Sequence, residues 1–417
     1  MPNNRIFYAC QAVALEPLYD NNGTLSKSNP NGHSNGLLVL HGVQSVGVNT
    51  TFNLEQAFEL GQIHIYENIE NVPDVEVTLE KVLDGYPLMY HVASHGVASD
   101  TTIGTNSKSS LVARSKQRTN VYLGIFPETV ENIGDTVGSA AVELQMSGMY
   151  ISSIGYTLPT DGNCTESLTL VGNHKSWNTT NSNFTINVAK QLDAPKKNNE
   201  GRTNLIDKPK NMQASNYYGG IQRRENVDME ASIMPACIYG VKKTASNSVA
   251  SKGNNWDASK KAPIAHIQSC SMKVDLNRES VQELGRKSPY YRFANFPVEV
   301  TCEFEVISSS GDWINAYEEG YTDPTNGFPV NTEFYGNNTA EETIMIKLHD
   351  GTVFDLGAKN RLSSVNYTGG DAGGGSATMT YSFSTYNALT VTHPQDPAGA
   401  TNATSGYGPR YNGKGSV

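Results

Sequence analysis

Apolar and polar residues alternate with a period of two in two separate segments of the chain, near residues 46–52 and 270–276. Such alternation is typical of a β-strand that buries one face. We therefore predict a half-buried strand in each segment, with its apolar positions in the core. These positions are Val46, Val48, Thr50 and Phe52 in the first segment and Cys270, Met272, Val274 and Leu276 in the second.

The two segments belong to a long internal repeat. Positions 43–61 align with 267–285 without a gap, and seven of these 19 positions are identical, where ordinary amino-acid usage would give about one. Further matches follow in the same order, pairing 75–80 with 298–303, 151–157 with 362–368, and 166–171 with 377–382. The period is much longer than the roughly 20–50 residues of a solenoid unit. The sequence therefore predicts a duplicated domain, with copy 1 at 5–177, a polar connector at 178–231, copy 2 at 232–392 and a flexible tail at 393–417.

Each copy is expected to be mainly β, as a barrel or sandwich with one short helix. The helix is predicted directly after the alternating strand. Asn53 and Asn277 would cap its start, and Gly61 and Gly285 would follow its end. The repeat also predicts three matched core pairs, which are Phe52 with Leu276, Leu60 with Leu284, and Val77 with Val300.

Composition narrows the possible functions. Charged residues make up 17% of the chain and the formal net charge is −10, which disfavours a protein that grips nucleic acid by its phosphates. The five cysteines form no metal-binding spacing. We expect no signal peptide and no membrane span, because no apolar run approaches about 18 residues. These features predict a protein made in a reducing cytoplasm.

Catalytic motifs are weak. His91 and His95 stand four residues apart, but copy 2 has no equivalent pair and no glutamate occupies the metalloprotease position. The glycine-rich segment 369–375 lacks the lysine of a phosphate-binding loop. We therefore predict no catalytic, cofactor-binding or metal-binding residues, no cofactor and no enzymatic activity.

Two strands carry carboxylates on one face and apolar residues on the other. The repeated polar positions permit three interpretations: a solvated strand face, paired carboxylates for hydrolysis, or a negatively charged wall that does not bind DNA. The residues are Glu76, Thr78 and Glu80 in copy 1 and Glu299, Thr301 and Glu303 in copy 2.

The strings VQSVGVNTTFNLEQAFELGQ…VPDVEVTLEKVLDG and IQSCSMKVDLNRESVQELGR…FPVEVTCEFEV resemble the tail tube proteins of tailed bacteriophages, in the subtype with two tube domains per chain. This resemblance implies a β-barrel-type subunit whose strands join neighbours into rings, with three chains forming a pseudo-hexameric ring. The rings would stack into a tube, and double-stranded DNA would pass through its acidic lumen without specific binding. The six polar strand residues would then face the lumen.

The resemblance also implies partners and a location. The expected partners are further copies of the chain, the tape measure protein, the tail terminator and distal tail or baseplate proteins, in a virion tail assembled in the host cytoplasm. The connector at 178–231 departs from a minimal tube domain. One alternative is a distal tail or baseplate ring protein. Another is a β-rich adhesin or carbohydrate-binding module, although Trp256 and Trp313 do not occupy equivalent repeat positions.

Overall fold

The computed structural model describes residues 5–6, 8–17, 38–85, 88–94, 111–127, 137–179, 185–187, 221–228, 235, 241–243, 249–251, 266–307, 341–348, 350–369 and 376–393. This part of the chain is mainly β, which confirms the predicted fold class. Its α-helices are α1 (Met89–Ala93) and α2 (Leu111–Ser115), and single 3₁₀ turns lie at Tyr8–Cys10 and Arg224–Asn226.

Twenty-four strands are present in the described residues. The first twelve are β1 (Gln11–Pro17), β2 (Leu38–Val39), β3 (Val43–Thr51), β4 (Leu54–Phe58), β5 (Ile65–Glu70), β6 (Asp74–Val82), β7 (Thr119–Ile125), β8 (Val137–Ser139), β9 (Val142–Pro159), β10 (Thr165–Gly172), β11 (His174–Asn178) and β12 (Thr185–Asn187). The others are β13 (Val227–Asp228), β14 (Val241–Lys243), β15 (Val249–Ser251), β16 (His266–Asp275), β17 (Arg278–Val281), β18 (Tyr291–Ala294), β19 (Glu299–Ile307), β20 (Met345–Leu348), β21 (Val353–Asp355), β22 (Arg361–Thr368), β23 (Thr378–Tyr386) and β24 (Thr390–Thr392).

Two antiparallel four-stranded units dominate the fold. The first has the order β3-β6-β10-β9 and the second has the order β16-β19-β23-β22. The units join edge to edge because β9 pairs with β16, which gives one continuous run of eight strands. The N-terminal part of β9 extends beyond this run and pairs with β7 and β11.

The two units carry β-bulges at matching places. Gln44 in β3 has no partner in β6, and Gln268 in β16 has no partner in β19. The side-chain amide of each glutamine donates to the carbonyl two residues earlier, Gly42 at 3.2 Å and His266 at 3.3 Å. Ser152 in β9 and Ser363 in β22 are bulged in the same way. A β-bulge is a specific feature of one position in a strand. Bulges at equivalent positions therefore support the sequence alignment of these strands.

The alignment of the other two strand pairs needs a correction. Ser45 lies opposite Glu80, and its counterpart Ser269 lies opposite Glu305. Glu80 therefore corresponds in position to Glu305, and not to Glu303 as the sequence match suggested. The same two-residue shift places Leu170 at the position of Phe383. Since side chains alternate between faces with a period of two, the shift leaves every residue on its predicted face.

The predicted helices are wrong. The segment after β3 is a hairpin of β4 and β5, and the segment after β16 is a hairpin of β17 and β18. We call these hairpin 1 (54–70) and hairpin 2 (278–294). Gly61 and Gly285 do adopt left-handed backbone angles, with φ of 91° and 83°, but in hairpin loops. A helix of barely two turns needs burial of an apolar face to form, and these segments are largely exposed.

The core pairs are only partly as predicted. Val77 and Val300 are fully buried but are not equivalent, because the two-residue shift places Val77 at the position of Cys302. Leu276 is buried. Phe52 is 69% exposed, while Leu60 and Leu284 are completely exposed. The difference follows from the hairpins, because Leu60 and Leu284 lie in hairpin loops rather than on a helix packed against the sheet.

The hydrophobic core lies on one face of the eight-stranded run. A smaller sheet with the order β13-β20-β21-β24 contributes Ile346, Phe354 and Val391 to the same core. The rings of Tyr156 and Phe354 lie 4.6 Å apart and connect the two layers. Helix α1 is buried in the core throughout. One face of the long sheet is therefore closed by other elements, and the opposite face is left polar.

Candidate functional site

The six predicted polar residues lie on one face of the long sheet. Five are exposed and Thr301 is partly exposed, whereas the residues between them are buried. Pairing through β10, β9 and β16 carries this face without interruption from copy 1 to copy 2. The structure thus brings together the six residues Glu76, Thr78, Glu80, Glu299, Thr301 and Glu303 on a single surface, which we call the polar face.

Small and hydroxyl side chains fill the positions between the carboxylates. Gly155 on the polar face lies opposite Ser167 on one side and Lys273 on the other. Carboxylates outnumber cations along these strands. The acidic residues are Asp74, Glu76, Glu80, Asp275, Glu299, Glu303 and Glu305, and the basic residues are Lys273 and Arg361.

Hydroxyl groups hold several of these carboxylates flat against the sheet. The Ser269 hydroxyl donates to Glu305 at 3.1 Å, and the Ser382 hydroxyl donates to Glu303 at 3.3 Å. The Ser45 hydroxyl donates to Glu80 at 3.5 Å. A serine hydroxyl is uncharged, so these hydrogen bonds position the carboxylates without neutralising their charge. The polar face therefore presents fixed negative charge.

Two glycines on the polar face lie close to the hydroxyl groups of neighbouring strands. A Cβ atom on Gly155 would lie 2.5 Å from the Ser167 hydroxyl oxygen, and one on Gly47 would lie 2.5 Å from the Thr78 hydroxyl oxygen. Neither glycine has an unusual backbone angle, so close approach of neighbouring side chains is the reason for glycine here. A larger residue at either position would require the facing hydroxyl group to move.

The junction between the two copies is fully packed. Cys270 and Met272 on β16 are both 1% exposed, and Met272 lies opposite Tyr156 of β9. The outer strands β3 and β22 are less buried than the junction strands β16 and β9, to which they correspond in the repeat. Val46 and Val48 on β3 are only partly buried, and Tyr367 on β22 is 61% exposed, while its counterpart Tyr156 is 1% exposed.

Hairpin 2 packs across the junction onto copy 1. The Arg278 guanidinium donates to the Ile151 carbonyl at 2.7 Å and to the Ser115 carbonyl at 2.5 Å. Arg292 donates to the Asp74 carboxylate at 2.5 Å and to Asn173 at 3.1 Å. These contacts bind the two copies together beyond the strand pairing itself.

Hairpin 1 leaves its apolar side chains exposed. Every residue of β5 is exposed, including Tyr66 at 65%, and the loop residue Ile63 is 96% exposed. Contiguous apolar exposure on this scale marks an interaction surface. The sequence did not reveal this surface, because residues 53–61 were predicted to form a short helix held by packing and residues 62–70 were assigned to no element. The exposed apolar residues are Leu54, Phe58, Leu60, Ile63, Ile65, Tyr66 and Ile69.

A buried polar cluster lies beneath the sheet. The Glu166 carboxylate accepts hydrogen bonds from the backbone N–H groups of Met89 and Tyr90 at 2.6 and 3.0 Å, and from the Tyr156 hydroxyl at 3.1 Å. Burial raises the pKa of Glu166 to about 6, while those backbone N–H groups and Lys81 act in the opposite direction. The carboxylate thereby fixes the start of α1 against the sheet.

The cluster continues into copy 2. Burial raises the pKa of Asp350 to about 6, and its carboxylate accepts a hydrogen bond from the Thr352 N–H at 2.8 Å. The His393 imidazole lies 3.9 Å from the same carboxylate. Lys81 forms an ion pair with Asp84 at 2.5 Å. Since all these groups are buried under the sheet, we assign them to packing between elements.

The described residues contain no cluster of three or more His, Cys, Asp or Glu side chains suited to a metal ion. His91 is buried in α1, with its Nε2 atom 2.9 Å from the Val391 carbonyl. His95 and most of the glycine-rich segment lie outside the described residues. None of the helices described is long and apolar enough to cross a membrane.

Comparison with known proteins gives distant similarities. No protein-family model and no curated protein matches the chain. Among solved structures, the tube-terminating cap of the anti-feeding prophage is 11% identical, with a TM-score of 0.27, over 43% of this chain and 95% of that one. The sheath–tube complex of the extracellular contractile injection system PVC is 8% identical, with a TM-score of 0.26, over 42% and 93%. An Hcp protein is 8% identical, with a TM-score of 0.18, over 41% and 98%. Scores this low establish neither a shared family nor a shared function.

Proposed function

We propose that this chain is a structural subunit of a tail-like tube, in which the polar face lines a channel for double-stranded DNA. The observation that carries the proposal is the continuous eight-stranded polar face, which ends at two strands with incompletely buried apolar residues. A protein with this shape can extend its sheet by adding copies of itself. The sequence resemblance to tail tube proteins agrees with this arrangement.

Three chains per ring suit the proposed channel. Three chains would supply 24 strands, and at about 4.8 Å per strand the wall would be about 115 Å around and about 37 Å across between backbones. Strand tilt would widen it further. Two chains would give only about 24 Å between backbones, and the side chains that point inward would narrow this further.

The charge of the polar face suits passage rather than binding. DNA phosphates would find fixed carboxylates such as Glu80, Glu303 and Glu305 along the wall, with few cations to hold them. In a narrow channel, equivalent carboxylates from stacked rings would add to one negative potential. A non-enzymatic virion role, with tape measure, terminator and baseplate proteins as further partners, belongs to the same proposal.

Electron microscopy of the purified protein tests the assembly, and rings or stacked tubes with three chains per ring are expected. The channel itself is tested by replacing Glu76, Glu80, Glu299 and Glu303 with lysine in particles that carry the protein. DNA ejection should slow at low salt and recover partly at high salt, because salt screens the new attraction.

A matched pair of variants controls for net charge. E76K/E299K changes two residues of the polar face, and D161K/E225K makes the same change in charge at two exposed positions outside it. Only the first pair should slow ejection. Equal ejection rates for both pairs at low salt, or an assembly with the polar face on its outer surface, would refute the channel.

A further inference from the structure

The outer strands β3 and β22 correspond to the two strands that already pair at the junction. Strand β3 holds the place in copy 1 that β16 holds in copy 2, as the shared bulges at Gln44 and Gln268 show. Strand β22 likewise holds the place of β9, through the bulges at Ser363 and Ser152. In the described part of the chain, one such junction is therefore complete, and the outer edges of β3 and β22, which correspond to its two halves, have no strand partner.

We infer that β22 of one chain pairs with β3 of the next copy in the register of the β9–β16 junction. This inference rests on the proposed ring-forming function and specifies its contact. In the junction, Met272 pairs with Tyr156, Lys273 with Gly155, and Val274 with Ile154. The equivalent positions place Val48 opposite Tyr367, Asn49 opposite Asn366, and Thr50 opposite Val365 of the neighbouring chain.

Burial supports this partner. Tyr156 and Met272 are each 1% exposed at the junction, while Tyr367 is 61% exposed and Val48 is only partly buried at the ends. Ile154 is likewise buried, and its counterpart Val365 is only partly so. These side chains lie on the core face, so a second copy would bury them as the junction buries their counterparts.

Hairpin 1 extends the same contact. Hairpin 2 packs on copy 1 across the junction through Arg278, which donates to the carbonyl of Ile151. The position of Arg278 in hairpin 2 is that of Leu54 in hairpin 1, since each residue is the first in its hairpin ladder. The position of Ile151 is that of Leu362. Hairpin 1 would thus dock on copy 2 of the neighbour and cover its exposed apolar residues there, with a hydrophobic contact in place of the arginine.

Cysteine cross-linking tests the register. Asn49 and Asn366 are both exposed on the polar face, and antiparallel partners have Cα atoms about 4.5–5.5 Å apart, within the range of a disulfide. Under mild oxidation the N49C/N366C variant should form disulfides between chains, in products that stop at three chains. In the described part of the chain, β3 and β22 each pair with one other strand and not with each other, so a bond within one chain is not expected.

Three controls sharpen the result. The unmodified protein shows any background from its own cysteines. The single variant N49C reports β3 pairing with β3. The variant N49C/S364C moves one cysteine by two residues on the same face, and should cross-link far less than N49C/N366C. Efficient cross-linking of N49C alone, or preference for the shifted pair, would overturn the inference.

Microscopy of the same samples separates this inference from the proposed function. Rings that lack the N49C/N366C disulfide would refute the register while leaving the tube intact. Disulfide-linked chains that never form rings would support the register and refute the tube. Failure of both cross-linking and ring formation would refute both.

Discussion

Met272 of copy 2 lies directly opposite Tyr156 of copy 1, and both side chains are 1% exposed. Their contact lies where the two repeats become one sheet. At the free ends of that sheet, the equivalent residues Val48 and Tyr367 lack this cover. Equivalent positions of the two repeats are therefore buried at the junction and more exposed at the ends of the sheet.

Truncation of the two equivalent tyrosines should affect different properties, namely folding stability for Tyr156 and self-association for Tyr367. Y156A should lower the free energy of unfolding by about 3–5 kcal/mol, because it leaves a cavity in a closed core. Y367A should change it by no more than about 0.5 kcal/mol in the isolated chain, because the side chain is mostly exposed. Urea unfolding measures both values, and light scattering should show weaker self-association for Y367A alone. Normal assembly of Y367A would contradict the proposed contact.

Leucine truncations should separate hairpin from core. L276A should cost about 2–5 kcal/mol of the free energy of unfolding, because Leu276 is buried. L60A and L284A should each cost about 0.5 kcal/mol or less in the isolated chain, since both side chains are fully exposed. Denaturant unfolding of dilute, unassembled protein is the measurement. A large loss of unfolding free energy in L60A or L284A would instead support the buried helix that the sequence predicted.

The buried carboxylates should make stability depend on pH. Glu166 has its pKa raised to about 6 by burial, so the native state holds this proton to a higher pH than the unfolded chain does. Its contribution is full below about pH 4.5 and is lost as the pH rises through about 6, a loss of about 2 kcal/mol. E166Q should remove this part of the pH dependence, as measured by urea unfolding at pH 4.5 and 7. D350N should act with the same sign, because burial raises the pKa of Asp350 to about 6 as well. An unchanged pH profile in both variants would contradict this interpretation.

The cost of replacing Gly155 by alanine should depend on the side chain at position 167. G155A should destabilise the chain by no more than about 1 kcal/mol, because the Ser167 hydroxyl can rotate away from the added methyl group. In an S167A background the same substitution should cost clearly less, which a double-mutant cycle measures. Equal costs in both backgrounds would show that crowding is not the reason for this glycine.

Much of the sheet could be predicted from the sequence. The alternation of apolar and polar residues indicates which face of a strand is buried, and the repeat indicates which strands are equivalent. The face of each strand followed from the period of two, and the bulged strands around Gln44 and Ser152 were aligned correctly with their counterparts. The strand at 75–80 was aligned two residues out. Its Val-Glu-Val-Thr string matches the sequence best at 298–301, a register that the hydrogen-bond ladder does not use.

The hairpins could not be predicted for a physical reason. Gly61 and Gly285 signal a left-handed residue, which suits both a helix end and a hairpin loop. The choice between them depends on burial, and Leu60 resembles a core residue in a sequence although it is exposed in the chain. The junction could not be predicted either, because the residue pattern of β9 or β16 does not indicate which distant strand it pairs with.

Fusion of two units in one chain changes how a closed ring can form. In the proposed ring, six separate units would need six bimolecular contacts, whereas three of the six would form during folding, when β9 pairs with β16 in the same chain. Those contacts form at an effective concentration set by the linking segment, not by the concentration of protein in solution. Dilution can therefore separate a three-chain ring only at alternate contacts, and its dissociation would release pairs of units that remain joined.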